Sequence, residues 1–108
     1  MNFIYKGDYM DTLKVFSPKQ VDEQYFLGFN FTDDIGSETI QSATVTAICN
    51  GVDVTSDLIT TLDQIIVNPY VYFWIKGGVK GETYKIDCQV VCSEDSVYEV
   101  TGYIKVKD

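Results

Sequence analysis

The chain has 108 residues, 45% of them apolar, and its 16 acidic against 8 basic residues give a net charge of −8. This length and apolar content fit one domain with a buried core, over residues 1–108, and argue against wholesale disorder. The negative charge argues against nucleic acid or an anionic membrane surface as a partner, because both would repel the chain.

Apolar and polar residues alternate with a period of two along most of the chain, a pattern that predicts strands. The first candidate strand is TLKVF at 12–16, and it is followed by a loop because Pro18 cannot donate to a ladder. YFLGFNF at 25–31 is predicted to turn one set of side chains to the core and the other set, with Phe26, outward. The acidic stretch TDDIGSETI at 32–40 is predicted to be a polar connection.

The middle of the chain combines a strand, a tight hairpin signal and a weak helical signal. QSATVTAICN at 41–50 alternates as a half-buried strand, and Asn50-Gly51 indicates a type I′ turn after it. TSDLITTLD at 55–63 is the best helix candidate, but its β-branched residues favour a turn or a brief helical excursion. QIIVN at 64–68 is predicted to be a short strand that ends before Pro69.

The last third of the chain is predicted to form three strands. YVYFWIK at 70–76 alternates between an inward set, Val71, Phe73 and Ile75, and an outward set, Tyr70, Tyr72 and Trp74. The glycines of GGVKG at 77–81 allow a reversal, because glycine adopts positive φ without a Cβ penalty. ETYKIDCQVVCS and VYEVTGYIKVK then read as a long core strand and a closing strand.

Tyr84 follows this reversal in the order G-x-T-Y. A tyrosine at such an edge resembles the tyrosine corner of fibronectin type III domains, where its hydroxyl bonds back to the backbone. Roughly seven to nine short strands with turns between them are typical of a sandwich or a small barrel. We predict an all-β fold, an immunoglobulin-like antiparallel β-sandwich of about seven to nine strands.

The outward aromatic residues are the candidate interface of the sequence, and they are Phe26, Tyr70, Tyr72 and Trp74. Aromatic rings with a polar tip are enriched at protein interfaces, but aromatic residues also fill sheet faces because they favour strands. Tyr98 and Tyr103 are expected to extend this surface. A slip of one residue in the pattern would instead place Trp74 in the core.

Histidine is absent from the sequence. Ser-His and Cys-His nucleophiles, imidazole metal ligands and the commonest general base at neutral pH are therefore missing. We predict a protein that is not an enzyme, with no catalytic residue, no cofactor and no small-molecule substrate.

Three cysteines, Cys49, Cys88 and Cys92, are an odd number, which argues against a complete disulfide framework. Cys88 and Cys92 on one strand would lie about 13 Å apart, too far for a bond. A bridge from Cys49 to Cys88 across facing sheets is one reading. Small buried thiols are the other, and we favour it because MNFIYKGDYMD has no apolar run for a signal peptide and indicates a cytoplasmic chain.

Two acidic groups are candidates for calcium binding. They are Asp33-Asp34 with Glu38, and Glu94-Asp95 with Asp87. Calcium requires six to eight converging oxygens, and neither group has the spacing of an EF-hand loop. We predict solvated turn residues and no metal site.

A longer pattern runs through the chain in order: FLGFNFTDDI, GSETIQSATV, VYFWIKGGVKGETYKI and a closing YIKVKD. It resembles small structural proteins of tailed bacteriophages, the fiber–tail adaptor or neck and tail accessory proteins, over roughly residues 14–108. In those proteins a G-D-T-I-x-S stretch precedes a W-L-x-G-G-x-x-G-T-x-Y hairpin and a charged last strand. Glu38 stands where the pattern has Asp, and the stretch NGVDVTSDLITTLDQI is longer than the pattern expects.

The resemblance implies an immunoglobulin-like virion structural protein of a phage or prophage that acts by protein–protein assembly. Its expected partners are other virion subunits and itself, and its expected location is the virion after assembly in the host bacterial cytoplasm. The alternative is an immunoglobulin-like adhesion or carbohydrate-binding module, in which Tyr70, Tyr72 and Trp74 would stack on sugar rings.

Overall fold

The structure, a computed structural model, describes residues 2–5 and 15–107, with side chains at 15–60 and 65–107. Within these residues the chain forms eight strands and two single-turn helices. The strands are β1 Asn2–Tyr5, β2 Tyr25–Asn30, β3 Ile40–Cys49, β4 Val52–Asp53, β5 Ile59–Val67, β6 Tyr70–Ile75, β7 Thr83–Cys92 and β8 Val97–Lys105. The helices are α1 Thr32–Ile35 and α2 Thr55–Leu58.

The strands form two sheets that pack face to face. The first sheet has the order β1-β2-β6-β5, and the second has the order β4-β3-β7-β8. All pairings are antiparallel except that of β1 with β2, which is parallel. The predicted all-β sandwich is therefore confirmed, with a strand number inside the predicted range.

Alternation along the strands builds the core, because every second side chain of each sheet points between the sheets. In β6 the burial pattern alternates strictly, and in β7 the five alternate positions from Tyr84 to Cys92 are all buried. Phe73 lies at the centre, stacked on Phe29 at 5.6 Å between ring centroids, and Phe16 meets both rings edge-on. The predicted outward position of Phe26 in β2 and the predicted inward and outward sets of β6 are confirmed.

Residues 15–19 run parallel to β8 and cover its outer edge. Phe16 N donates to Tyr103 O at 2.8 Å, Lys19 N donates to Lys105 O at 2.9 Å, and Lys107 N donates to Lys19 O at 2.7 Å. Of the predicted strand at 12–16, Val15 and Phe16 form only an isolated bridge to Tyr103 of β8, and the first three residues lie outside the described residues. The second sheet consequently has little free backbone at this edge.

Both reversals predicted from the sequence are present. Asn50 and Gly51 have φ values of 51° and 80°, the positive pair that a type I′ turn requires, and they join β3 to β4. Tyr84 accepts a hydrogen bond at its hydroxyl from Val79 N at 2.8 Å, so the tyrosine does bond back to the backbone of the preceding turn.

The polar connection predicted after β2 includes a single turn of helix, α1, that the residue pattern does not predict. Asn30 Oδ1 accepts hydrogen bonds from Thr32 N at 2.9 Å and Thr32 Oγ1 at 2.5 Å, an Asx turn that starts the helix. The turn of helix then buries Ile35. The brief helical excursion predicted within 55–63 is confirmed as α2.

Strand β5 starts earlier than predicted, at Ile59 instead of residue 64. Its pairing with β6 shifts register between Thr60 and Ile65, so an irregularity interrupts the alternation on which the prediction relied. The immunoglobulin-like character of the sandwich stays a prediction.

Candidate interface on the outer face of the first sheet

The outer face of the first sheet carries all four aromatic residues of the predicted interface. Phe26 of β2 is directly opposite Trp74 of β6, and their rings meet edge-on at 4.9 Å. The rings of Tyr70 and Tyr72 stack at 6.0 Å with an interplanar angle of 16°. All four side chains are half-buried, so the phase that places Trp74 outside the core is confirmed.

Gly28 holds the centre of this face because it has no side chain. It is opposite Tyr72 in the register, and a Cβ on Gly28 would lie 2.5 Å from Cδ1 of the tyrosine ring. The Tyr72 ring therefore lies flat over the glycine backbone, as aromatic residues do when they cover a glycine across a strand pair. Trp74 is fixed at the other end, where its Nε1 donates to Gln24 Oε1 at 3.3 Å.

Strand β5 extends the face with aliphatic side chains. Ile65 is opposite Tyr72 and Val67 is opposite Tyr70, and both are exposed. We call the whole surface the aromatic face, and its residues are Phe26, Gly28, Ile65, Val67, Tyr70, Tyr72 and Trp74. None of these side chains is charged, although the chain carries a net charge of −8.

The outer face of the second sheet has the opposite character. Thr46, Asp87 and Thr101 are aligned across β3, β7 and β8, and Thr101 Oγ1 donates to Asp87 Oδ1 at 2.5 Å. Polar and acidic side chains line a shallow depression of about 170 Å³ beside them, namely Thr44, Thr46, Asp87, Gln89 and Glu99. Such a surface is readily hydrated. The aromatic face is, by contrast, an exposed apolar surface, which is the kind that marks contact sites.

The expectation that Tyr98 and Tyr103 extend the aromatic surface is wrong, because both belong to β8 in the second sheet. Tyr103 is opposite Lys85 on the polar face, and Tyr98 is opposite the buried Val90 and donates its hydroxyl to Glu38 at 3.2 Å. A period of two shows which side chains face outward, but it does not show to which sheet a strand belongs.

A comparison with protein-family models matches residues 19–105 to the family described as podophage GP4 fiber-tail adaptor protein gp77. The chain belongs to this fiber-tail adaptor family. The match covers every residue of the aromatic face and both sheets except β1. A search of curated proteins finds no match.

The chain is therefore a structural protein of the phage virion, of the type that joins fiber to tail, and the resemblance drawn from its sequence is confirmed at the level of the family. The family is one of structural adaptors and is not known for catalysis. Among the residues that the structure describes, no helix is long and apolar enough to cross a membrane.

The cysteines of the adaptor are unpaired thiols. The suggested bridge between Cys49 and Cys88 is wrong, because β3 and β7 are neighbours in one sheet and Cys88 is directly opposite Val45. Cys49 lies four positions further along β3, half-buried, where its Sγ donates to Glu82 Oε1 at 3.4 Å. Burial and this carboxylate together raise the pKa of Cys49.

Cys88 provides a prediction about stability at alkaline pH. Burial, with a smaller contribution from Glu99, raises the pKa of Cys88 from its ordinary value of 9.0 to about 12. Above pH 9 the unfolded thiol ionises while the folded thiol stays neutral, so this group stabilises the fold fully below pH 9 and progressively less up to pH 12. Between about pH 8 and about pH 10, the free energy of unfolding should fall by about 1 kcal/mol more in the natural chain than in Cys88→Ala.

Urea unfolding of the two chains at both pH values measures this difference. Because all other titrating groups are common to both chains, they cancel in the comparison. Equal pH dependence in the two chains would show that water reaches Cys88 in the folded adaptor.

Glu38, one of the acidic residues considered for calcium, is used within the fold. Glu38 accepts hydrogen bonds from Glu94 N and from the Tyr98 hydroxyl, both at 3.2 Å, and so ties β8 to the segment before β3. In the part of the chain that the structure describes, no three acidic or cysteine side chains cluster closely enough to hold a metal ion.

Sequence reasoning missed two parts of the aromatic face. Gly28 is not among the predicted interface residues, although an outward glycine opposite an aromatic residue is itself a signal of ring-over-backbone packing. The consecutive aliphatic residues Ile65, Ile66 and Val67 are predicted only as a short strand, and nothing local in the sequence shows that their side chains are exposed.

Proposed function

We propose that the protein is an adaptor or accessory subunit of the phage or prophage tail or neck that binds a different virion subunit through its aromatic face. The partner's apolar side chains pack on the rings of Trp74, Tyr70 and Tyr72. Assembly takes place in the host bacterial cytoplasm, and the protein remains in the virion as a structural part.

The uncharged, contiguous nature of the aromatic face is the observation that supports this proposal. Its rings are packed against each other and held by Gln24 and by Gly28, so they are ordered before a partner arrives. Binding to ordered side chains costs less conformational entropy than binding to mobile ones. Tyrosine and tryptophan are also the residues most enriched among those that dominate binding energy.

Charge favours a different subunit over a second copy of the chain. Two copies would bring together net charges of −8 each, and their mutual repulsion opposes association. Strand β5 lies at the edge of the same sheet with exposed Ile65 and Val67, so a partner on the aromatic face also reaches backbone that can take a further strand.

The proposal is tested by measuring the affinity of the chain for the purified tail and fiber proteins of the same phage. Trp74→Ala and Tyr70→Ala should each weaken binding of one of these proteins by about tenfold or more, because buried aromatic anchors contribute more than 1 kcal/mol. Tyr103→Ala is the matched control, since Tyr103 is a half-buried outward tyrosine on the polar face, and it should leave the affinity unchanged.

Equal weakening by Tyr103→Ala and Tyr70→Ala would place the contact elsewhere. A mass measurement in solution separates the case of a second copy, which would appear as an oligomer that Trp74→Ala dissociates. Binding to arrayed glycans that is lost in Trp74→Ala would instead support the carbohydrate-binding alternative.

A further inference from the structure

One end of the sandwich carries a groove of about 440 Å³, separate from the aromatic face. It lies between the β3–β4 turn, helix α2 and the loop that joins β6 to β7. Its apolar wall is formed by Val52, Val54, Leu58, Gly78, Val79 and Tyr84, and its polar rim by Cys49, Asn50, Asp57 and Glu82. The volume falls within the range of about 300–1,000 Å³ that is usual for ligand sites.

The two walls of the groove present apolar side chains to water. Val52 is 60% exposed on the β3–β4 turn, and Val79 is 62% exposed on the opposite loop. Leu58 and Tyr84 lie buried between them. Gly78 lets the loop pack closely on the floor, because a Cβ there would lie 2.6 Å from Val106 Cγ2 and 3.3 Å from Leu58 Cδ1.

The loop that forms one wall is held in place by three hydrogen bonds from different parts of the fold. Lys19 Nζ donates to Gly77 O at 2.6 Å, Val79 N donates to the Tyr84 hydroxyl at 2.8 Å, and Gly81 N donates to Val106 O at 2.9 Å. The groove is therefore formed before any partner binds, which reduces the entropic cost of binding.

The opposite wall is fixed in a similar way. Asp53 Oδ1 accepts from Thr55 N at 2.9 Å and from Thr55 Oγ1 at 2.7 Å, and Thr55 Oγ1 in turn accepts from Ala47 N at 2.9 Å. This Asx turn starts α2 and sets Leu58 in the wall.

The charge of the rim indicates what the groove accepts. Asp57 and Glu82 are acidic, and the lining contains no basic residue; Lys80, although it follows Val79 in the loop, is not part of it. Glu82 uses Oε1 to accept from Cys49 Sγ and from Asn50 Nδ2 at 3.1 Å. These bonds fix the carboxylate at the rim, and its other oxygen can accept from a cation on a partner.

We propose that this groove is a second docking site of the adaptor, and that it binds an extended segment of a neighbouring virion protein in which an aliphatic side chain stands next to a lysine or arginine. The aliphatic group packs between Val52 and Val79, and the cation meets Glu82 and Asp57. The proposal rests on the adaptor role of the family and does not depend on the aromatic face. Two separate surfaces allow the chain to hold two neighbours at once.

The test uses overlapping synthetic peptides that cover the tail and fiber proteins of the same phage, with binding to the intact chain measured by fluorescence anisotropy. The bound peptides should contain an aliphatic residue beside a lysine or arginine. Val79→Asp should weaken their binding by about tenfold or more, and Glu82→Gln by about threefold to tenfold with a weaker dependence on salt.

Two controls separate this site from the rest of the molecule. Val97→Asp places the same charge on another valine that is 55% exposed but lies outside both surfaces, and it should leave peptide binding unchanged. Trp74→Ala should also leave it unchanged, even where it abolishes binding of a whole virion subunit. The two sites can thus fail independently.

The proposal is overturned if no peptide binds, if Val79→Asp and Val97→Asp have equal effects, or if the bound peptides are acidic. Peptide binding that Trp74→Ala abolishes and Val79→Asp leaves intact would assign the peptides to the aromatic face, and it would overturn the groove as their site.

Discussion

Replacing Lys19 by methionine should lower the free energy of unfolding by about 3 kcal/mol, because it removes a charge-assisted hydrogen-bond centre from the interior. The Lys19 side chain is fully buried. Its ammonium donates to three backbone carbonyl oxygens, those of Gln20 at 2.8 Å, Val21 at 3.0 Å and Gly77 at 2.6 Å. These three bonds use all the donors that a lysine has.

Methionine has a similar length and cannot donate, so Lys19→Met would leave three carbonyl groups without this donor in a space that water does not reach. Burial lowers the pKa of Lys19, and the nearby carboxylates of Glu23 and Asp22 oppose that effect. The bonds to the carbonyls are those of the charged form, which is the form lost in the variant.

Lys85→Met is the matched control, since Lys85 is exposed on the polar face of the second sheet. It should change the free energy of unfolding by less than about 0.5 kcal/mol. Urea unfolding followed by tryptophan fluorescence measures both variants. Equal stability of the two would mean that the Lys19 ammonium is solvated and that the loop at Gly77 is held by other contacts.

Replacing Phe73 by alanine should cost about 4 kcal/mol, a large part of the roughly 5–15 kcal/mol that stabilises a domain of this kind. Phe73 is fully buried, stacks on Phe29 and meets Phe16 edge-on at 6.3 Å. Its removal opens a cavity between the sheets that these rings cannot fill.

The neighbouring residue should behave in the opposite way. Tyr72 points outward over Gly28, so Tyr72→Ala should cost only about 1 kcal/mol of stability while it weakens binding of the virion partner by about tenfold. Urea unfolding and affinity measurements on both variants separate the two effects. If Tyr72→Ala destabilises the fold as much as Phe73→Ala, the outer face belongs to the folding core and is not a contact surface.

Local patterns predicted the faces of the strands because a strand has a fixed period of two. The outward set of β6 and the outward Phe26 of β2 were correct for this reason. The Asn50-Gly51 turn and the Tyr84 hydroxyl bond were equally predictable, since each depends on residues only a few positions apart.

Properties that depend on which strands are neighbours could not be read in this way. The bridge considered between Cys49 and Cys88 does not form, because β3 and β7 belong to one sheet. Tyr103 does not extend the aromatic face, because β8 does not border β6. No local pattern indicates that Lys19 is buried, because its third acceptor, Gly77 O, is remote in sequence.

The two helical turns share a local sequence signal at their starts. In both, an Asn or Asp is followed two residues later by Thr, as in Asn30-Phe31-Thr32 and Asp53-Val54-Thr55. The side-chain oxygen of the first residue accepts from the backbone N–H and the hydroxyl of the threonine. This Asx-turn pattern, rather than helical periodicity, locates α1 and the start of α2.

Residues 15–19, which run along β8, determine where another strand can pair with the second sheet. Since they occupy the β8 margin of the second sheet, a foreign strand finds little free backbone along that margin. Strand addition at the β8 margin is therefore disfavoured. With a partner bound on the aromatic face as proposed, the adaptor would attach to a growing particle with its polar face toward water.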